Sequence, residues 1–415
     1  LEGRQGEHDL YQHSYQFNGE VVCRLFYSKA KAKPNLSFVR FSHAIMIAMK
    51  LPPHILLDAH LDIAMNAVAE GRDFRQPTWV TQRREGKFLG APSARLGVAS
   101  VGLPNLLLGR TALVFATLWV KPLDAKTKAQ EARKLAYQTP QEAYQKALKQ
   151  MDYYQRLADE DARVRLIKTQ RDLDAVLETW QADKDFTQHQ VGLVILMEGA
   201  DPVLEPRQVE EWVERGVRIL GLAWRATRYA AGTGAPGPLT PLGRELLDVM
   251  ADYGLILDLS HLAELAYYEA LERYQGPVLA SHSNPRRFVQ SDRHLSDEMI
   301  RRLVARGGVM GVVPYNVFLK QGWTPENNRK SDVSVARVLE AIDHVCQVAG
   351  SAEHVGLGTD WDGGFGAESI PAPWESHLDL YGLDALLAQR GYTPPDIEAI
   401  LCGNFLRVLR QGLPR

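Results

Sequence analysis

Residues 191–198 read Val191-Gly192-Leu193-Val194-Ile195-Leu196-Met197-Glu198. Seven positions carry neither charge nor polar alternation, and the eighth is a carboxylate. A strand with one face in water alternates apolar and polar residues, whereas one that is apolar throughout is covered on both faces. This run therefore predicts a strand inside a parallel sheet. Ending it on a carboxylate costs free energy unless the charge finds water, a partner or a metal ion.

Outward from this stretch the same pattern recurs. Short Val-, Ile- and Leu-rich runs occupy residues 54–60, 112–120, 217–223, 255–260, 277–282, 308–314 and 354–360, making eight in all. Between them lie stretches with apolar residues at helical spacing: 139–158, 240–253, 296–305, 334–349 and 393–411. Thr139-Pro140 and Thr240-Pro241 place an N-cap residue before a proline suited to the first helical turn, and Ser296 opens the third stretch. Alternation of strand and helix predicts a parallel sheet, and eight units predict closure into a (β/α)8 TIM barrel. Residues 51–415 are expected to form that one domain. Residues 1–50 show no convincing pattern and stand outside it as an extension of unclear role. The Gly/Pro-rich segments 71–104 and 363–376 are expected as long barrel-top loops, which commonly shape an active site.

Bulk properties are those of an ordinary soluble composition. The 415 residues are 45% hydrophobic and 24% charged, with a formal net charge of −2, which gives no general attraction to nucleic acid or an anionic membrane. The three cysteines, Cys23, Cys346 and Cys402, lack the spacing of a zinc site and are odd in number, which points to reduced thiols in a cytoplasmic protein. No uninterrupted apolar stretch of about 18 residues occurs, so no membrane span is expected. The closest approach, 38–57, is broken by Arg40, His43, Lys50 and Pro52-Pro53.

The chemistry-bearing residues fall at the ends of the predicted strands. The first run ends Asp58-Ala59-His60-Leu61-Asp62. Alternate strand residues point the same way, so His60 and Asp62 project together, an imidazole and a carboxylate suited to a divalent ion. The fifth run ends Asp258-Leu259-Ser260-His261, the sixth Ser281-His282-Ser283, and the eighth Gly358-Thr359-Asp360-Trp361-Asp362-Gly363. Any one of these is commonplace, since a lone strand-end His is usually a satisfied polar residue. Their joint occurrence at the carboxyl ends of separate strands is what barrel enzymes use for catalysis.

On these motifs, together with Glu198-Gly199, the chain resembles the membrane (renal) dipeptidase family, the M19 metallopeptidases of the amidohydrolase superfamily, over about residues 54–410. The resemblance implies two zinc ions, with other divalent cations as substitutes. His60 and Asp62 would hold one and His261 and His282 the other, with Glu198 and a water or hydroxide bridging them. Asp360 would be the acid/base residue, with Asp362 second in line. Arg293 would grip the substrate carboxylate and Tyr315 would contact substrate. The implied reaction is hydrolysis of a dipeptide with a free C-terminal carboxylate, including L,D-dipeptides, by attack of the bridging hydroxide. A homodimer is also implied.

The chain departs from the family after the fourth run. A family histidine that assists the tetrahedral intermediate is replaced in Gly221-Leu-Ala-Trp224-Arg225, leaving Trp224 or Arg225 in its role. That departure favours, as the alternative, a hydrolase of the same superfamily acting on N-acyl amino acids, lactones or cyclic amides. A non-catalytic metal-binding barrel is a rival from another class, and a binuclear phosphoesterase lacks the basic cluster that phosphate recognition wants. Gly232-Thr-Gly-Ala-Pro-Gly237 matches a dinucleotide fingerprint only formally, and is expected as a flexible barrel-top loop. Residues 163–174 are expected as a solvated helical face, and Trp79, Trp119, Trp180 and Trp212 as packing residues.

Overall fold

Seen in the computed structural model, which describes residues 10–17, 20–28, 54–87, 89, 97–123, 134–181 and 184–415, the eight apolar runs become eight barrel strands. They are β1 (Leu56–Leu61), β2 (Thr111–Trp119), β3 (Val191–Glu198), β4 (Val217–Gly221), β5 (Ile256–Asp258), β6 (Val278–Leu279), β7 (Met310–Val312) and β8 (Val355–Leu357). All are parallel, and each pairs with its neighbours in chain order from β1 to β6, with β8 between β1 and β7. The ring closes between β6 and β7 through a bridge from Ala280 to Met310, where the Ala280 amide donates to Val309 O (2.9 Å) and the Gly311 amide to Ala280 O (2.8 Å). Every residue of β3 is buried, as an all-apolar run requires. Leu193, Ile195 and Met197 alone contribute roughly 1.5–3 kcal/mol each from removing their side chains from water.

The last four strands are shorter than the apolar runs that contain them, and the reason is local. Past Asp258 the amides of Ser260 and Ser281 donate to Asp258 Oδ1 (3.0 and 2.9 Å). Past β8 the Thr359 amide donates to Asp58 Oδ1 (2.8 Å), which also receives the His60 amide (3.1 Å). At the carboxyl rim, side-chain carboxylates take over part of the ladder's hydrogen bonding.

The helical stretches form an outer set with the expected starts. Helix Pro140–Glu160 is capped by Thr139, Pro241–Asp252 by Thr240 and Asp297–Ala305 by Ser296, each side chain accepting from a backbone amide three residues on. Val335–Ala349 is one helix. The stretch 393–411 is not continuous: it divides into Pro394–Glu398, a π turn over Ala399–Gly403, and Asn404–Gly412. Buried Asn404 sits at that division and donates to Ala352 O (2.7 Å) and Val355 O (2.8 Å) beneath β8.

Four expectations are corrected. Residues 163–174 begin with a strand, Val164–Leu166, that pairs with the first half of β3 before a helix starts at Gln170. Val164 is buried and Arg165 exposed, so the segment alternates as a half-covered strand does. Residues 230–239 form an antiparallel hairpin of Ala230–Gly232 and Ala235–Leu239 rather than a loop. The segment after β1 carries helices Ile63–Glu70, Thr78–Glu85 and Leu103–Leu108. Trp180 and Trp212 are core residues and Trp119 packs on Met65, Ala69 and Leu135 and edge to face on Trp224, but Trp79 is 36% exposed. Of the described residues, no helix is long and apolar enough to cross a membrane.

Residues 1–53 make a separate unit. Its described part is a hairpin of Leu10–Phe17 and Glu20–Ser28 with Phe17 opposite Glu20. Residues 38–53 of the apolar stretch 38–57 lie outside the described residues.

Candidate metal centre

Glu198 ends β3 with its side chain at the barrel mouth, only 6% exposed. Three imidazoles converge on it from three other strands. His60 Nε2 lies 3.5 Å from Oε2, while His261 Nε2 and His282 Nε2 lie 3.1 and 3.3 Å from Oε1. The carboxylate therefore divides its two oxygens between two groups of ligands. His261 Nε2 and His282 Nε2 are themselves 3.1 Å apart, and the His60 and His282 rings are tilted by 31° with centroids 3.6 Å apart. Asp62, which ends the rim segment after β1, has its buried Oδ1 without a hydrogen-bond partner, as has His60 Nε2. Buried polar atoms without partners are rare and call for an unrepresented ion or water. Two groups able to hold a cation result: Glu198 with His261 and His282, and His60 with Asp62 and Asp360. Three imidazoles with carboxylates are the donor set that zinc and similar ions take. A third grouping, His60 with Asp258 and His282, converges on the hydroxyl of Ser281 rather than on open space.

The electrostatics fit the same reading. Burial, with Arg293 nearby, lowers His261 to about 4, and burial with His60 and Arg293 lowers His282 far below the usual histidine range, so both rings stay neutral and free to ligate. Burial acts to lower His60 too, but Glu198, Asp62 and Asp360 outweigh it and lift His60 to about 10. Burial and the charge of Glu198 and Asp362 raise Asp62 to about 7, against the pull of His60. An acidic cage that takes up a proton on an imidazole is one that a cation can occupy in the proton's place.

Asp360 and Asp362 lie close together on the segment after β8 but differ in surroundings. Asp360 Oδ1 faces His60 Nε2 at 4.0 Å, with the side chain 15% exposed. Burial, Asp62 and Glu198 raise its carboxyl well above the usual range, opposed by His60 and Arg293. Asp362 is saturated. It accepts from the Ser100 amide (2.9 Å), Ser100 Oγ (2.7 Å) and the Val101 amide (3.2 Å), and pairs with Arg72 (3.1 Å). It pins the segment before Leu103 to the rim and has no acceptor to spare for a moving proton.

Arg293 is buried beside the centre. NH1 donates to Ser283 Oγ (3.0 Å) and NH2 to His282 O (2.5 Å), the guanidinium lies over Phe318 (5.5 Å), and Nε has no partner. Phe318 also meets Tyr315 edge-on at 4.9 Å, and Tyr315 stacks on Phe365 at 3.9 Å. On the far side Trp224 packs edge to face on Trp119 (5.2 Å), 6.1 Å from the His261 ring, with Arg225 over its indole (5.5 Å). The structure thus gathers His60, Asp62, Glu198, His261, His282 and Asp360 in one cluster, with Arg293 and Trp224 beside it and Tyr315 one ring beyond Phe318.

Sequence reasoning missed Thr233. It lies between the two strands of the hairpin that the fingerprint-like stretch forms, and its hydroxyl is 2.9 Å from His261 Nδ1. Two local bonds fix it there: the Thr233 amide donates to Trp224 O (3.2 Å) and the Gly234 amide to Asp292 Oδ2 (2.7 Å). The only signal was a hydroxyl residue between two glycines, which no spacing rule connects to a histidine 28 residues on.

Residues 47–412 match the family described as membrane dipeptidase, peptidase family M19. An uncharacterized protein from the pqqA 5′ region of Klebsiella pneumoniae is 32% identical over 50% of this chain and 76% of its own length. Mouse dipeptidase 3 is 26% identical over 75% of this chain, which spans 58% of that protein. A Rhodobacter sphaeroides metallopeptidase, solved with a phosphinate mimic of the dipeptide L-Ala-D-Ala, superposes with a TM-score of 0.68 at 21% identity, over 86% of this chain and 99% of that one. At that identity the superposition shows a shared fold.

Proposed function

Since the chain belongs to the membrane dipeptidase family, peptidase family M19, we propose that it hydrolyses dipeptides carrying a free C-terminal carboxylate, with two divalent cations, zinc in the first instance, held at the barrel mouth. The observation that carries this reading is the division of Glu198, one oxygen toward His60 and the other toward His261 and His282. A carboxylate so shared is what a bridging ligand between two ions must be. His60 and Asp62 would hold one cation, and His261 and His282 the other. Cations in this position lower the pKa of water and polarise a carbonyl.

The chain's own residues supply the rest. Arg293 has its Nε–H free and its other nitrogens anchored, so a substrate carboxylate can dock on a guanidinium that is already fixed. Asp360 faces His60 Nε2, and burial, Asp62 and Glu198 raise its carboxyl above the usual range; in its ionised form it would take a proton from attacking water and return it to the departing amine. Trp119 and Trp224 present an apolar wall to the amino-terminal half of the substrate. The Rhodobacter relative's ligand mimics an L,D-dipeptide, which supports including substrates with a D-residue at the carboxyl end.

The test is dipeptide hydrolysis by protein stripped with a chelator and reloaded with zinc. Activity lost on stripping, regained on reloading and absent from His261→Ala is expected. Activity indifferent to both treatments rules the proposal out. The Trp119–Trp224 wall also favours a second reading, N-acyl amino acids, which keep the carboxylate for Arg293 and place an apolar acyl group against the indoles. A panel pairing each dipeptide with its N-acyl counterpart separates the two by kcat/KM.

A further inference from the structure

Ser281, fully buried at the carboxyl end of β6, stands at the meeting point of two of these ligands. Its Oγ lies 2.6 Å from Asp258 Oδ2, 2.8 Å from His282 Nδ1 and 3.4 Å from His60 Nδ1, with a fourth, long contact to Ser260 Oγ at 3.3 Å. A hydroxyl has one hydrogen and two lone pairs, and a carboxylate can only accept. The shortest contact is to the carboxylate, so the hydroxyl hydrogen goes to Asp258. Every ring nitrogen facing Ser281 Oγ must then be a donor.

We infer that Asp258 and Ser281 act together as a tautomer clamp: they hold His282 and His60 with the hydrogen on Nδ1 and the lone pair on Nε2. This rests on the metal-dependent reading above and deepens it. Nε2 is the atom each ring turns toward Glu198, so one hydroxyl sets the ligating face of a histidine in each of the two cation groups. The carboxylate is itself fixed, because Asp258 Oδ1 accepts the amides of Ser260 and Ser281 (3.0 and 2.9 Å). The serine backbone cannot drift either. A Cβ on Gly311 or on Gly358 would stand 1.9 Å from Ser281 O, so two glycines from β7 and the end of β8 close around it. Asp258 and Ser281 are positioning residues that act through the histidines. Hydrogen-bonded partners behind metal ligands contribute through ring orientation and basicity.

The substitution that separates clamp from scaffold is Asp258→Asn. An asparagine can keep its oxygen on the two backbone amides and turn an N–H toward Ser281. That reverses the hydroxyl, whose nearest remaining acceptor is His282 Nδ1 at 2.8 Å, ahead of Ser260 Oγ at 3.3 Å, and so favours a hydrogen on Nε2 of that histidine. Metal-free wild type, Asp258→Asn and Ser281→Ala are titrated with zinc against a competing chelator. Histidine-labelled, zinc-loaded protein is examined by long-range 1H–15N correlation to find which ring nitrogen carries the hydrogen. Wild type should bind two cations with both rings in the Nδ1–H form. Each variant should bind at least one cation roughly 10–100-fold more weakly, and Ser281→Ala should also lower the thermal midpoint of the metal-free protein, because it leaves Asp258 Oδ2 and His282 Nδ1 without their shared hydroxyl. Nε2–H on either ring of the loaded wild type overturns the clamp, even if neither variant folds. So do unchanged affinities in both variants. Wild type that takes up no divalent cation overturns the proposed function and the clamp together.

Discussion

Arg293 offers a sharp quantitative test of how substrate is held. Two parallel N–H···O bonds from a guanidinium to a carboxylate contribute about 1.5–3 kcal/mol each, so wild type should prefer a free-acid dipeptide over its C-terminal amide by about 3–6 kcal/mol, or roughly 10²–10⁴ in kcat/KM. Arg293→Lys keeps the charge and one donor, and should cut that preference by about 10–150-fold through KM. Arg293→Met should abolish it. Both variants also release Ser283 Oγ and His282 O, which Arg293 otherwise binds at 3.0 and 2.5 Å. Leaving a buried carbonyl without a donor costs about 1–3 kcal/mol of stability and disturbs His282. That damage falls on both substrates alike, so the acid-to-amide ratio removes it. Initial rates on matched substrates give the ratio directly. If Arg293→Met slows acid and amide equally, the arginine only braces His282 and the docking argument is wrong.

Other outcomes follow from the same geometry. Asp360→Asn should lower kcat by about 10²–10⁴ with little loss of stability. Asp362→Asn should do the reverse, lowering stability by about 3–5 kcal/mol through the broken pair with buried Arg72, toward the low end because Glu85 also holds that arginine, as thermal unfolding would register. Zinc binding to metal-free protein at pH 8 should displace the proton that Glu198, Asp62 and Asp360 hold on His60, so the calorimetric heat should vary with the ionisation enthalpy of the buffer; heats identical across buffers would refute it. The same proton stabilises the metal-free fold fully below about pH 6.5, and that contribution is lost as pH rises toward 10. His294 is fully buried with neither ring nitrogen bonded, and burial and Arg293 lower it to about 3. The unfolded chain therefore binds a proton below about pH 6.5 that the fold refuses, and stability should fall by about 1.4 kcal/mol per pH unit from there toward pH 3. His294→Phe should remove that slope relative to wild type in urea unfolding.

Much of this was legible in the sequence, for physical reasons. Strands covered on both faces leave continuous apolar runs, and helices with Thr-Pro or Ser starts mark their own beginnings. A rim of His and acidic residues at strand ends stands out against such runs. Less legible was anything decided by a second chain segment. Val164–Leu166 is short and charged, and is a strand only because the first half of β3 offers a free edge there. The hairpin at 230–239 is held by Trp224, Asp292 and the bridge from Gly232 to Leu262, none of which its own glycines announce.

The acidic residues of the rim show why a motif alone cannot allot roles. Asp62, Glu198, Asp258, Asp360 and Asp362 sit at or just past strand ends and Asp58 lies within β1, and three of the six are used up by the fold. Asp58 accepts from the His60 and Thr359 amides and from Thr359 Oγ1 (2.6 Å), and its Oδ2 lies 2.9 Å from His377 Nε2, tying β1 to the segment after β8. Asp258 ties β5 to β6 through Ser260 and Ser281. Asp362 ties the rim to Ser100 and Arg72. The other three face one another and the imidazoles. A buried carboxylate without partners is tolerated only where a cation or proton balances it. The backbone at this rim carries strain as well: His261 and Asp360 adopt φ of 66° and 57°, a region costing about 1–3 kcal/mol for residues other than glycine. Saturated carboxylates supply the rigidity that holds unsaturated ones and strained residues in place, so the division between structure and chemistry at this barrel mouth is a division of hydrogen bonds.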